Sequence, residues 1–563
     1  MASRSESVGR TEAPSTSPSL SPAPPWWHSP RLGRLAPLLL TATLALAAGL
    51  RAAAVLRAET IARDATVHLN MARALAKDAP PAVLQRYQYH PGYAATVAVA
   101  AVLSGADSPE GWARAGQWTS LAWSVLALAG LYVIARRAFG TAAALLAVAL
   151  AALARTPIEV GSDALSEAQF LALSLWGLVA ALWARGHLGR LRSPAVFLTA
   201  LAGGLLCGGA YLTRPEGLLP GAIALVLLAT GRGRWRVKLL AGLCCAAGLA
   251  ACVAPYALTV GALTQKKGVG DFVAAGGAGA MLAVAGPAGE LLDALRETLD
   301  RHVIAMGVPV AVAAGLWLMT WIGFGWLGIA LPASVRVRPR RRAACWTMIV
   351  PALVMVPLLT ALELRQAPGE ADYVSSRHAL LAATLLTPAA GAGLLVLAGW
   401  LLAFARRVGI REIPPLAAAI WLAVFGGVLA ARATPVLHEG KGAYARAGAY
   451  VRDRFGPGRL VLASDSRAAF YAGAPERQFA AGTNVSFELR PQDVASVDAL
   501  LARVRSPGRC GYRFVVVDTG LLAEAGPAGG LGALAADAHL ELLATFPAGR
   551  GETVAVLAVA PPP

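Results

Sequence analysis

Residues 57–93 read RAETIARDATVHLNMARALAKDAPPAVLQRYQYHPGY, a polar, charged stretch directly behind the first long apolar segment. That segment runs from about Leu35 to Leu56, with Arg31 and Arg34 in front of it. A positive flank is retained in the cytoplasm, so the segment crosses outward and 57–93 emerges on the far side of a membrane. Within it Asp64, His68 and Ala72 fall at i, i+4 and i+8, which a helix places on one face. Glu59 lies just before them and His90–Tyr93, HPGY, just after.

Composition supports a chain built around a membrane. Of 563 residues 56% are hydrophobic and 15% charged, more apolar length than one soluble core buries. The formal charge of +18 would suit a nucleic-acid partner if the basic residues formed one surface. They are instead distributed over separate short loops between apolar segments, which excludes nucleic acid as a partner. Six cysteines occur, none at CxxC or ligand spacing with a nearby His, so neither a zinc site nor a disulfide framework is implied.

Residues 1–34 are expected to be a disordered cytoplasmic tail, rich in Ser and Pro and without an evident cleavable signal. The apolar piece Ala94–Ser104 is too short to cross, and Pro91 suits the first position of a helix, so a surface helix is expected there. Segments then alternate. Basic loops such as ARR at 135–137, ARGHLGRLR at 184–192, GRGRWRVK at 231–238 and RVRPRRR at 336–342 all fall on one side. This gives a polytopic α-helical protein of about eleven transmembrane helices over 35–437, by the rule of about 20 apolar residues per span. Its outer loops are 57–114, 155–167, 261–305 and 363–378. Residues 438–563 alternate strand and helix patterns and are expected to form a small extracytoplasmic α/β domain that caps the site or holds an acceptor.

The second outer loop carries Glu159, Asp163 and Glu167, four apart, which one helix would align on one face. Acids here suit a hydroxyl-activating site, in which one carboxylate takes a proton while others orient an acceptor or hold a divalent cation. They equally suit helix N-termini, where the macrodipole favours acids. Arg214 and Glu216 in TRPEG, Lys266 and Lys267, and Arg377 and His378 stand at outer span boundaries. Such charges often only snorkel to the interface. On a face otherwise poor in basic residues, single cations also suit an anionic ligand such as a lipid phosphate.

The run of RDATVHLNMARAL, YHPGYAA, ARRAFG, SDALSEAQF, AYLTRPEGLLPG and PYALTVGALTQKKG, in this order, resembles the GT-C superfamily of membrane glycosyltransferases. The resemblance covers roughly 35–410 and is nearest to bacterial glycosyltransferase family 39, the protein O-mannosyltransferase-like enzymes related to the lipid A aminoarabinose transferase. It implies a GT-C fold and a polyprenyl-phosphate-linked sugar donor. It further implies inverting transfer, hexosyl or pentosyl, to a lipid, glycan or protein hydroxyl on the outer face of the cytoplasmic (inner) membrane. Asp64 matches the family's first-loop acid, its catalytic base. Asp163 and Glu167 share the place of the second-loop acid, with Glu59 and His68 beside them on the acceptor side. Arg214, Glu216, Lys266, Lys267, Arg377 and His378 would serve the donor phosphate. His68 stands where relatives often have Tyr, and Ala65 where many have Gly.

Two other classes compete. A lipid or glycan transporter or flippase would show repeat symmetry or charges deep within spans, whereas the charges here gather at outer boundaries. A scaffold serving only its C-terminal domain would not need acid-rich outer loops.

Overall fold

The computed structural model of the chain describes residues 30–189, 194–265, 288–306, 311–312, 314–315, 318, 342–363, 377–407, 436–475, 488–505 and 512–560. The first helix, α1, spans Pro30–Arg57, and the first loop then folds into α2 (Arg63–Leu75), α3 (Pro80–Arg86) and α4 (Pro91–Leu103). Pro91 opens α4 as the sequence suggests, and its 13 residues reach only about 20 Å, short of a hydrocarbon core. The bundle continues with α5 (Pro109–Phe139), α6 (Thr141–Leu153), α7 (Arg155–Ser162), α8 (Glu167–His187), α9 (Pro194–Thr213), α10 (Leu218–Ala229) and α11 (Trp235–Val260). Three further helices follow, α12 (Ala288–Met306), α13 (Arg342–Glu363) and α14 (Leu380–Arg407).

Among the described residues seven helices are long and apolar enough to cross a membrane, and α6 with α7 forms an eighth as a bent pair. The expected sixth crossing is the short apolar helix α10. The expected eighth and eleventh crossings fall largely outside the described residues. Helices α9 and α11 approach through glycine. A Cβ on Gly204 would stand 2.0 Å from the Cys245 carbonyl oxygen, and one on Gly248 2.4 Å from that of Leu201. Small residues at such a seam let two backbones meet where no water drives association.

The break between α6 and α7 departs from the sequence reading twice. The two helices meet at 63°, with Ala154 extended between them. The break leaves last-turn carbonyls of α6 in need of donors, and Arg51 of α1 supplies one at Ala152. Its Nη1 donates to the oxygens of Ala47 (3.1 Å) and Ala152 (3.3 Å), Nη2 to that of Pro157 (3.3 Å) and Nε to Ser124 Oγ (2.7 Å). This fully buried arginine lies within the first span, so span charge is not confined to outer boundaries. Second, α7 stops at Ser162, and Asp163 is extended before α8 begins at Glu167. Glu159, Asp163 and Glu167 therefore do not share one helical face, because the Asp163 carboxylate takes the backbone N–H of Ala164 in place of continuing the helix.

The C-terminal part contains α15 (Gly442–Phe455), β1 (Leu460–Ala463), α16 (Ser466–Tyr471), α17 (Val497–Arg505), β2 (Tyr512–Asp518), α18 (Thr519–Ala525), α19 (Leu531–Ala535), β3 (Leu540–Pro547) and β4 (Thr553–Val559). The sheet order is β1-β2-β4-β3, parallel only between β1 and β2. Strand alternation gives it two apolar faces. Leu462, Val515, Val517 and Leu557 pack with Leu500, Leu522 and Leu534 of α17, α18 and α19. Val461, Phe514, Val516 and Val556 pack with Tyr444 and Phe470, in a core that continues into Ala65, Leu69, Tyr87 and Tyr93 of the first loop. The sheet domain and the first loop thus share one hydrophobic core, and polar clamps bind the same seam. Arg452 Nη1 donates to both oxygens of Glu110 (2.8 and 2.9 Å), Arg63 pairs with Glu488, and the hydroxyls of Thr66 and Ser466 meet at 3.0 Å.

Candidate active site

Asp64 lies in the first turn of α2, where the helix dipole favours a carboxylate. Its Oδ2 accepts a hydrogen bond from Arg377 Nη2 at 2.7 Å. Arg377 stands in the turn before α14, and its Nη1 is 3.9 Å from Glu167 Oε1. Arg214 Nη1 donates to the same Glu167 oxygen at 2.8 Å, while Arg214 Nη2 donates to Glu216 at 3.2 Å. Side-chain exposure separates the acids: Glu167 is 6% exposed and Asp64 43%. A substrate can therefore reach Asp64, while Glu167 holds the two arginines from behind. Burial works against charge on Arg377, but Glu167 and Asp64 outweigh it and set its pKa above the ordinary arginine value. Burial, with Asp64 nearby, pushes the Tyr89 phenol up as well, so that hydroxyl keeps its proton.

Asp163 forms a second node. Its side chain is 3% exposed, and Oδ1 accepts from the backbone N–H of Ala62 (3.0 Å) and of Ala164 (2.7 Å). Ala62 is the N-cap residue of α2, so Asp163 fixes the start of the helix that carries Asp64. Oδ2 accepts from His438 Nε2 at 2.6 Å. His438 has φ +56°, the one positive value at a non-glycine position among the described residues. Such a conformation costs on the order of 1–3 kcal/mol and persists only where neighbours over-determine it. Leu437 is wedged against Ala54 and Ile158, its carbonyl accepts from Glu59 N–H (3.3 Å), and His438 O accepts from Lys441 N–H (2.9 Å).

Asp64, Arg377, Asp163 and His438 border one cleft of about 980 Å³. The membrane part contributes Arg63, Asp64, Arg155, Glu159, Asp163 and Arg377, and the C-terminal part His438, Glu439 and Arg467. The other sequence candidates are placed elsewhere. Glu59 Oε2 accepts from the N–H groups of Gly440 (2.9 Å) and Gly442 (3.2 Å) and lines a separate cleft of about 400 Å³ with Glu110, Arg114 and Arg446. His68 is 3% exposed, its ring edge-on to Tyr89 (4.8 Å) and Tyr93 (5.4 Å). His378 is half-buried beside Arg377. Lys266 and Lys267 lie outside the described residues. The sequence reading passed over His438, Tyr89 and Arg467. Only the polar HEGKG that follows an apolar run at 438–442 marked the first of these.

Among the described residues no three His, Cys, Asp or Glu side chains converge as a metal requires. The space between Asp64 and Glu167 is taken by the Arg377 guanidinium, and both oxygens of Asp163 already accept hydrogen bonds.

No family model and no curated protein matches this sequence. Solved structures do. ArnT from Cupriavidus metallidurans bound to undecaprenyl phosphate superposes with TM-score 0.52 at 13% identity, over 95% of this chain and 99% of that one. The apo oligosaccharyltransferase of Archaeoglobus fulgidus gives 0.57 at 14% identity, over 89% and 72%. The AglB oligosaccharyltransferase of the same organism, with an inhibitory peptide and a dolichol-phosphate, gives 0.51 at 13%, over 88% and 70%. The bent and straight apolar helices, the folded first loop and the C-terminal domain seated on it together make this chain a polytopic membrane protein with the GT-C fold.

Proposed function

We propose that the chain is an inverting glycosyltransferase of the cytoplasmic membrane, with its N-terminus in the cytoplasm and its C-terminal domain outside. It moves a sugar from a polyprenyl-phosphate donor to an acceptor hydroxyl on the outer face. The observation that carries this is the accessible Asp64 carboxylate, held by Arg377 on the wall of the large cleft. That ArnT was solved with undecaprenyl phosphate, in a fold this chain covers at 95% of its length, supports the donor class.

In the displacement the acceptor oxygen bonds to the anomeric carbon as the bond from that carbon to the phosphate oxygen breaks. Asp64 takes the acceptor's proton. The departing polyprenyl phosphate is already a stable anion, so it needs no proton from a general acid. Arg377 has five N–H donors and keeps its charge, so those not held by Asp64 can meet the charge that grows on the phosphate. Arg214 is buried between Glu167 and Glu216 and acts through Glu167 to orient Arg377. Lys266 and Lys267 remain assigned to the phosphate on sequence grounds.

The test is a gene-deletion strain complemented with wild type or Asp64→Asn, with membrane lipids and surface glycans compared by mass spectrometry. The wild type restores a sugar-bearing product that the Asn variant, present at equal level in the membrane, does not. Full restoration by Asp64→Asn would remove Asp64 as the base.

A further inference from the structure

His438 comes from the segment that precedes the C-terminal domain, yet it faces the cleft that holds Asp64. Its geometry is that of a fixed imidazole rather than a loose surface histidine. Asp163 is an acceptor, so Nε2 carries the proton of the 2.6 Å bond. Nδ1 is then the acceptor of the neutral ring. Among the described residues it meets no protein donor, and 27% of the side chain is open to the cleft. A carboxylate that fixes one tautomer and leaves the other nitrogen toward a ligand site is how an imidazole is made ready for a hydroxyl. The left-handed backbone at 438, held by Leu437, Lys441 and the Glu59-bound glycines, aims it there.

The cleft's charge narrows what that hydroxyl belongs to. Arg377 is matched by Asp64, Arg155 by Glu159, Arg63 by Glu488 and Arg467 by Asp465. Glu439, exposed at the rim, is left over. With Arg377 given to the donor phosphate and the other three arginines each matched in charge by an acid, the described wall leaves no net positive charge for an anionic acceptor, and polar residues outnumber apolar ones on it. A neutral polyhydroxylated ligand fits, and about 980 Å³ gives room for more than one sugar ring. A hydroxyl has a single proton. If Asp64 takes the proton of the attacking oxygen, a hydrogen bond to Nδ1 must come from a different hydroxyl of the same acceptor.

We infer that the acceptor is a neutral saccharide and that His438, positioned by Asp163, accepts a hydrogen bond from a hydroxyl adjacent to the one that attacks. This rests on the transferase reading above. It makes His438 an acceptor-binding residue and Asp163 its positioning residue. A serine or threonine side chain, with one hydroxyl, would leave His438 without a role.

The experiment uses the full chain in lipid nanodiscs, loaded with undecaprenyl phosphate and applied to an array of neutral oligosaccharides, anionic oligosaccharides and Ser/Thr peptides. Wild type should bind a set of neutral oligosaccharides. His438→Asn should bind the same set about tenfold more weakly, the value of one lost hydrogen bond. Asn tolerates the left-handed backbone, so this variant keeps the turn, and His438→Gly gives the same comparison without strain. A ¹⁵N-histidine spectrum of the wild-type protein should place the ring proton on Nε2, with the Nδ1 resonance shifting when the bound oligosaccharide is added. Binding confined to peptides or anionic glycans, equal binding by His438→Asn, or an Nδ1 resonance unmoved by sugar overturns the inference. None of these outcomes touches the Asp64→Asn transfer test, and failure there leaves the saccharide result standing.

Discussion

Asp163 is the residue whose removal should disturb the site most, because one buried carboxylate joins three segments. Asp163→Ala takes away the acceptor of two backbone N–H groups, at Ala62 and Ala164, and the partner of His438. A buried donor left without an acceptor costs about 1–3 kcal/mol. Two donors and a stranded imidazole together put the local loss near 3–5 kcal/mol, the range found when one partner of a buried ion pair is removed. Asp163→Asn keeps the backbone bonds through its carbonyl oxygen and loses only the imidazole partner, so its cost should fall to about 1–2 kcal/mol. The assay is hydrogen exchange read by mass spectrometry on peptides covering 60–70 and 436–445 of the protein in nanodiscs. Each 1.4 kcal/mol of local stability is about a tenfold change in opening. Exchange in both peptides should therefore rise on the order of a hundredfold or more in Asp163→Ala and about tenfold in Asp163→Asn, with peptides of α9 and α11 unchanged. Wild-type exchange at 60–70 in Asp163→Ala would refute the view that this residue fixes the start of α2.

Arg377→Ala should lower transfer by at least about a hundredfold, as lost electrostatic stabilisation does, and Arg377→Lys should recover only part of it, since a single ammonium cannot replace the planar fork; equal rates in sugar-release assays would contradict the role. Arg51→Ala should reduce the yield of monodisperse protein in detergent and lower its melting temperature, because it removes the donor of the Ala152 oxygen and the partner of the Ser124 hydroxyl inside the bundle. Arg452→Ala should be nearly silent in the same melt, because Glu110 is 46% exposed and surface pairs contribute about 0–1 kcal/mol. The Asp518 carboxyl gives the C-terminal domain a pH dependence. Burial raises its pKa, but the Leu521 N–H and Tyr444 hydroxyl outweigh this and hold it below the ordinary 3.8. A depressed acid contributes stability above its unfolded pKa and loses it as pH falls through the folded value. Exchange protection of β2 and α18 should decline in wild type as pH drops below that 3.8 and stay flatter in Asp518→Asn.

What the sequence disclosed follows from the range of the physics involved. Hydropathy and the placement of basic residues are local signals, and they located the first loop, the start of α4 at Pro91 and seven of the crossings. The helix bearing Asp64 was legible for the same reason: RDATVHLNMARAL is a strong local former with an acid in its first turn. Spacing misled at Glu159, Asp163 and Glu167, where a period of four assumed an unbroken helix across GSDALS. Arg51 escaped because one arginine barely lowers the mean hydropathy of a 26-residue span. The pairing of His438 with Asp163 was out of reach, since 275 residues separate the two and a lone histidine carries no period.

The long separations have a functional logic. On the proposed reading the first loop holds a base within ångströms of a sugar carbon and cannot be left to its own entropy, and 57–108 contains no cysteine that could stiffen it by a disulfide. The chain orders it by sharing a core: Ala65, Leu69, Tyr87 and Tyr93 lie under one face of the C-terminal sheet. Seating that sheet also delivers His438 to Asp163 in the same cleft, and the Glu59-bound glycines to their acceptor beside it. Base, positioning acid and acceptor-side imidazole are therefore assembled by one docking event, so the C-terminal domain is part of the cleft's architecture as well as its roof. A single cavity-forming substitution in the apolar core of the seam, such as Leu69→Ala, away from every reacting atom, should weaken Asp64 and His438 together.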